Sequence, residues 1–412
     1  MSSSPPPYET VVSTRLPGTS WGCKPARGPL EEPLSSRNQR WRDDERIDPR
    51  IRSVFKQFPF RVLSHDKVWI PALDSDLVAG GEPLAPAAGL QISEERIVSQ
   101  PDGNEISLSV IRPVGGEGAA EDEGAPATSP ARLRPCVVYC HGGGMSHYSA
   151  FLSCFQTLGR LIAARGVVCV LPDFRNSDVP SRAGEQAAPF PAGLNDCVSS
   201  VRWVRSHAAE LGVDPGRVTV AGESGGGNLA IACALRLRGE AVEAGAAAAA
   251  GEAAQPALSG VFVACPFLRG MLDATDERYP SYAENAGIFM DYPLDTAQPS
   301  RLYGHGEEEG RALHEQRNVE AWPGYLTEED LSPERGGFPP CEIVLNEFDP
   351  LRDEGLAFYH TCVVAGVRAR CTTLMGTTHG IGTYLPGICP DITRAVVDSI
   401  EKLAKCAGDA RQ

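Results

Sequence analysis

The stretch Arg217-Val218-Thr219-Val220-Ala221-Gly222-Glu223-Ser224-Gly225-Gly226-Gly227-Asn228-Leu229-Ala230 decides how this chain folds. Residues 217–222 form a short apolar run that fits a buried strand. Residues 228–238 (NLAIACALRLR) carry the apolar repeat of a helix. Between them Ser224 has glycine two positions away on each side, so the backbone can turn sharply from strand to helix in a way bulky neighbours forbid. Such a turn pushes the serine hydroxyl outward, and the helix N-terminus behind it favours negative charge nearby. A Gly-x-Ser-x-Gly match alone carries little weight, because glycine-rich turns are common. The strand before and the helix after favour a nucleophile.

Working outward, the chain alternates strand and helix from residue 135 onward. CVVYC (136–140) and VVCVLPD (167–173) are apolar without alternation, as strands buried on both faces are. Between them FQTLGRLIAARG (155–166) has helical spacing and stops at Gly166. NDCVSSVRWVRSHAAELG (195–212) predicts a helix that starts near Asn195 or Asp196 and ends at Gly212. LSGVFVACPF (258–267), CEIVLNEFD (341–349) and ARCTTLMGTTHG (369–380) continue the strand series, and VDSIEKLAKCAG (397–408) predicts a closing helix. This alternation implies an α/β fold with a mostly parallel central sheet covered by helices on both faces. Ahead of it, residues 92–113 read as a hairpin around the turn Pro101-Asp102-Gly103-Asn104.

Composition sets the domain plan and excludes several functions. Residues 1–45 are rich in Ser, Pro, Arg and Gly and are expected to be disordered; 46–100 is expected to form an irregular N-terminal cap; 101–410 is expected to be the catalytic domain. Three insertions interrupt that domain: a polar low-complexity loop at 115–134, an alanine-glycine tract at 241–257 read as surface expansion, and 268–340. The last holds Tyr279, Tyr282, Phe289, Tyr292, Tyr303, Trp322 and Tyr325, and should fold over the carboxyl ends of the strands, where open α/β sheets bind ligands. Each of those aromatics is read first as core packing. The formal charge of −15 argues against nucleic acid and anionic membrane surfaces as partners. Thirteen cysteines without a Cys-x-x-Cys pair speak against zinc ribbons and thioredoxin-type sites and fit a reducing compartment, the cytoplasm. No secretory signal and no membrane span is expected from the apolar pattern.

A serine hydroxyl needs a base, usually histidine, held in turn by a carboxylate. In a parallel-sheet hydrolase these partners come from loops after later strands, in the order serine, acid, histidine. Asp349 follows the strand-like run 341–348, and His379 follows the strand-like run 369–376, so both land on the side of the sheet that carries Ser224. Glu347 and Asp353 are the competing acids, but one lies within a strand and the other opens a helix. His65, His147, His207, His305, His314 and His360 follow no late strand and are read as solvated or packing residues. Acyl transfer also needs donors for the carbonyl oxygen. His141-Gly142-Gly143-Gly144 comes straight after a buried strand, and its glycines let backbone N–H groups approach a small anion unobstructed. With Gly225, Gly143 and Gly144 form the expected oxyanion hole, supported by His141, Gly142 and Glu223.

Four blocks in this order, His141–Gly144, Gly222–Ala230, Asp349–Gly355 and His379-Gly380, resemble the signature of hormone-sensitive-lipase-like esterases, the fold-3 set of the α/β-hydrolases. Residues 190–204 and 211–224 are similar too, and the resemblance covers roughly 135–405. It implies a carboxylic ester hydrolase with Ser224 as nucleophile, Asp349 as acid, His379 as base and Gly143, Gly144 and Gly225 as oxyanion donors. It also implies no cofactor, no metal, a small-molecule ester of small or medium acyl length as partner, and an N-terminal cap shaping the acyl pocket. Similar proteins commonly form homodimers through the last strand or helices. This chain departs from the pattern in three places. Gly225 stands where alanine is frequent, Asp173-Phe174-Arg175-Asn176-Ser177 replaces a Tyr-Arg-Leu-Ala-Pro-Glu type run, and Ile381 stands where phenylalanine is commoner. Amide or carbamate hydrolysis by the same triad stays open as an alternative. A non-catalytic receptor, like the plant gibberellin receptors, is disfavoured because those lack the histidine.

Overall fold

The apolar runs become eight strands of one sheet. The computed structural model describes residues 40–57, 75–114, 133–182, 185–248, 258–288, 303–304 and 306–406. The strands are β1 (Leu90–Val98), β2 (Glu105–Pro113), β3 (Arg134–Cys140), β4 (Val168–Pro172), β5 (Val213–Glu223), β6 (Gly260–Ala264), β7 (Cys341–Phe348) and β8 (Ala369–Thr378). Their order across the sheet is β1-β2-β4-β3-β5-β6-β7-β8. β1 and β2 pair antiparallel as the hairpin predicts, and β2 runs antiparallel to β4. From β4 to β8 every pairing is parallel, so the carboxyl ends of six strands share one edge.

Helices cover the sheet: α1 (Pro49–Gln57), α2 (Ser153–Ala163), α3 (Ala192–Ser206), α4 (Gly225–Ala248), α5 (Glu307–Glu315), α6 (Arg352–Val364) and α7 (Pro390–Cys406). Every residue of β4 and β6 is buried, the two-sided burial that their unbroken apolar sequence requires. No helix among the described residues is long and apolar enough to cross a membrane.

Several element boundaries differ from the sequence reading, and three helices show why. α3 begins at Ala192 after Pro191, and a break at His207 separates it from a short helical turn ending at Gly212. Asn195 and Asp196 therefore cap nothing. Instead the Asp196 carboxylate receives the Arg175 guanidinium and backbone N–H, and Arg175 also reaches Asp102 in the hairpin turn. α4 runs on through Ala248, because the first half of the alanine tract has high helix propensity; residues 249–257 lie outside the described residues. α7 starts seven residues before the predicted helix, at Pro390, a favoured opening residue.

The segment read as the cap contributes α1 and then β1, which opens at Leu90. Residues 58–74 lie outside the described residues, as do 1–39, 115–132, Phe289 and Tyr292. The described part grips the loops around His379. Asp48 N–H donates to the Gly376 carbonyl, Gly387 N–H donates to the Val78 carbonyl, and Arg50 pairs with Asp391. Within 268–340, Tyr279, Tyr282, Tyr303 and Trp322 are buried, and Trp322 packs edge-on to both Phe267 and Tyr303, so these aromatics work as core.

Candidate active site

The turn at Ser224 is as tight as its glycines imply. β5 ends at Glu223, α4 begins at Gly225, and Ser224 between them has φ of 54°, a left-handed conformation that costs an L-residue about 1–2 kcal/mol. Two glycines make the turn feasible. A Cβ on Gly226 would lie 2.0 Å from the Cys140 carbonyl oxygen, and one on Gly222 would lie 2.2 Å from the Gly226 carbonyl oxygen. Three backbone bonds fix the serine: its N–H donates to the Ala264 carbonyl, and its carbonyl accepts from Asn228 N–H and Phe267 N–H. The Asn228 side chain then ties α4 to the Phe267 and Ala321 carbonyls.

Asp349 and His379 sit beyond the ends of β7 and β8, and both are buried. Imidazole Nδ1 lies 2.8 Å from Asp349 Oδ2, while Leu351 N–H donates to Oδ1 at 2.8 Å. The competing acids are engaged elsewhere. Glu347 accepts from Gly376 N–H, and Asp353 accepts from Ser281 N–H and pairs with Arg352. Burial disfavours the charged form of His379, but the Asp349 carboxylate and the Cys265 thiol beside it outweigh burial and raise its pKa well above the ordinary imidazole value.

The glycine loop after β3 presses on the serine turn. Gly143, Gly144 and Met145 all have positive φ (104°, 63° and 56°), which curls the chain back so that Ser146 and His147 N–H groups donate to the Gly143 carbonyl. A Cβ on Gly225 would meet Met145 N at 2.6 Å and Gly144 Cα at 2.8 Å, so the backbones at 144 and 225 are immediate neighbours. The absent Cβ at 225 is therefore what admits this loop. Glu223 anchors the loop from below: Oε1 accepts from Gly142 N–H at 2.6 Å and Oε2 accepts from the Tyr139 hydroxyl. Burial lifts the Glu223 carboxyl to about 8, although these two donors oppose the shift. His141 is pushed down to about 4 by burial. Its Nδ1 lies 2.7 Å from the Gly142 carbonyl, which can only accept, so the neutral ring carries its proton there.

The unusual run 173–177 supplies the loop's other supports. Phe174 stacks on the His141 ring at 4.2 Å, the Asn176 amide donates to the Tyr148 carbonyl, and Ser177 N–H donates to the Met145 carbonyl. Two side chains that sequence reasoning missed complete the centre. Tyr384, five residues beyond His379, brings its hydroxyl near the Ser224 side chain, and its ring lies 6.1 Å from the imidazole. It fills the space left by Gly142 and Gly380, where a Cβ would fall 1.6 Å and 2.1 Å from its atoms. Cys265, held at φ 37° at the end of β6, places its thiol against His379. Neither had a usable signal, since one thiol among several in apolar runs reads as packing and a loop tyrosine has no period.

Among the other histidines, His207 bonds the Trp203 carbonyl, His314 stacks on Trp322, His147 faces Asp178 and His360 is exposed. His65 and His305 lie outside the described residues.

Known proteins resemble this chain over most of its length. Residues 137–383 match the family model described as the α/β hydrolase fold. The chain is 32% identical over 248 residues to carboxylesterase NlhH of Mycobacterium tuberculosis, covering 60% of this chain and 66% of that one, just under two thirds of its length. Among solved structures, esterase Est22 superposes with a TM-score of 0.70 at 38% identity, over 88% of this chain and 98% of Est22. Brefeldin A esterase, titled a bacterial homologue of human hormone-sensitive lipase, superposes with a TM-score of 0.67 at 29% identity, over 90% and 96% of the two chains.

Proposed function

The chain belongs to the α/β-hydrolase fold family, alongside its esterase-type hydrolases, and from that premise we propose that it is a serine carboxylic ester hydrolase working through an acyl-enzyme. The single observation that carries this reading is the buried His379–Asp349 pair at 2.8 Å, on the same edge of the sheet as the strained Ser224 turn.

Ser224 Oγ attacks the ester carbonyl carbon while His379 takes the hydroxyl proton, and Asp349 stabilises the imidazolium that results. The carbonyl oxygen gains negative charge as the tetrahedral intermediate forms. Backbone N–H groups of Gly143, Gly144 and Gly225 receive it, a contribution worth about 10²–10³ in rate per donor. His379 then protonates the departing alkoxide, leaving an acyl group on Ser224. Water, deprotonated by the same imidazole, releases the acid. The residues needed are all supplied by the chain, and small to medium acyl esters are the substrate class. All twelve cysteines among the described residues are free thiols, which supports a reducing, cytoplasmic setting.

One relative's structure, esterase Est22, is titled as holding p-nitrophenol, which makes short p-nitrophenyl esters a sensible first probe. Purified protein is expected to hydrolyse them, and Ser224→Ala to remove that turnover. Unchanged turnover in the Ser224→Ala protein would refute the mechanism.

A further inference from the structure

Three different kinds of metal donor meet at one point of the sheet edge. Cys265, Asp349 and His379 follow β6, β7 and β8, three neighbouring parallel strands, and all three are buried. A thiol sulfur, a carboxylate oxygen and an imidazole nitrogen lie within 4.8 Å of one another. We propose that these residues form a capture site for a thiophilic divalent cation such as Zn²⁺ or Cd²⁺, which shuts off the hydrolase by sequestering its imidazole base. The inhibition rests on the function proposed above; the binding does not.

The donor set is the first argument. Sulfur, nitrogen and oxygen together suit zinc, whereas Mg²⁺ and Ca²⁺ take oxygen alone. Bond lengths of about 2.0–2.3 Å put ligand atoms of a tetrahedral site roughly 3.5 Å apart. The Asp349–His379 pair, 2.8 Å apart, therefore has to open by less than about 1 Å, while the thiol sulfur closes in from within 4.8 Å. The second argument is rigidity. Cys265 N–H donates to the Val344 carbonyl of β7, and Leu351 N–H holds the Asp349 carboxylate, so the donors sit on fixed backbone. The third is proximity: the thiol sulfur already lies within 4.8 Å of both other donor atoms, and its proton leaves to solvent as the metal–sulfur bond forms.

The test uses the full chain, its Cys265→Ser variant and, as a second variant, His379→Ala. Each protein's rate without metal is its own reference. Zn²⁺ is expected to inhibit ester hydrolysis by the wild type, EDTA to restore it, and Cys265→Ser to need at least tenfold more Zn²⁺ for half-inhibition. Co²⁺ is expected to give the wild type a thiolate-to-cobalt charge-transfer band that both variants lack. Equal Zn²⁺ sensitivity of wild type and Cys265→Ser, or a wild-type cobalt spectrum without a Cys265-dependent thiolate band, overturns the site. A chain with that band but no esterase turnover keeps the site and refutes the proposed reaction, so the two failures are distinguishable.

Discussion

Replacing Glu223 by alanine removes the carboxyl that accepts from two buried donors, and the consequence follows from their geometry. Gly142 N–H and the Tyr139 hydroxyl both point at this carboxyl, and all three groups are shielded from water. Leaving a buried donor unsatisfied costs about 1–3 kcal/mol, so the pair should cost about 2–6 kcal/mol of stability. Activity should fall as well, because Gly142 is the residue that leads into Gly143 and Gly144. A loop no longer pinned at 142 drifts, and one displaced oxyanion donor costs about 10²–10³ in kcat. Glutamine separates hydrogen bonding from charge. Its amide oxygen still accepts from Gly142 N–H, and its NH₂ donates to the tyrosine oxygen, so at any one pH Glu223→Gln should be clearly more stable than Glu223→Ala and keep kcat within about tenfold of wild type. Urea unfolding followed by tryptophan fluorescence gives the stability, and a short p-nitrophenyl ester gives kcat. A Glu223→Ala protein with wild-type kcat would show that the glycine loop holds itself in place. Equal losses in the alanine and glutamine variants would show that the two hydrogen bonds are not the reason.

The same carboxyl carries a pH signature. Its folded pKa of about 8 lies above the ordinary 4.5, so the native state keeps a proton the unfolded chain gives up. Its contribution to stability is therefore full below about 4.5 and is lost as pH rises through about 8. Stability of wild type relative to Glu223→Gln should fall by roughly 3–5 kcal/mol between about pH 5 and 9, and a flat difference would contradict the assignment. Gly225→Ala, though alanine is frequent at this position in similar esterases, should lower kcat at least about tenfold here, since its Cβ would strike Met145 N and Gly144 Cα. Wild-type kcat in that variant would show that the loop yields at no cost. Tyr384→Phe keeps the ring against Phe155 and Tyr148 but loses the hydroxyl that lies near the Ser224 side chain. At about 1 kcal/mol for a hydrogen bond from that hydroxyl during the reaction, kcat should drop between fivefold and tenfold, with KM little changed. A shift in KM alone would assign the hydroxyl to substrate binding.

Much of the fold was legible because a parallel sheet buried on both faces leaves no room for polar alternation. Runs such as 136–140 and 260–264 therefore stand out as strands with no further information. The serine, acid and histidine were legible for a related reason: each lies at or just past a strand end, so strand assignment alone ordered them on one edge. Helix starts were harder. The opening of α3 is set by Pro191 and by the demand of Arg175 for the Asp196 carboxylate, a tertiary pull that overrides the capping preference of Asn and Asp.

What stayed hidden shares one physical origin, which is that sequence separates residues the sheet brings side by side. Cys265 and His379 are neighbours only because β6, β7 and β8 pair in order, and that order is not written in any one segment. The departure at 173–177 shows the converse. Its residues differ from the commoner run, yet an aromatic face for His141, an amide for the Tyr148 carbonyl and a backbone N–H for Met145 are all present. The glycine loop needs those contacts, and several side-chain choices can provide them. A motif in this fold is thus best read as a set of donors, acceptors and vacant Cβ positions that must be filled, with Gly225 an example in which an absent methyl group makes the contact.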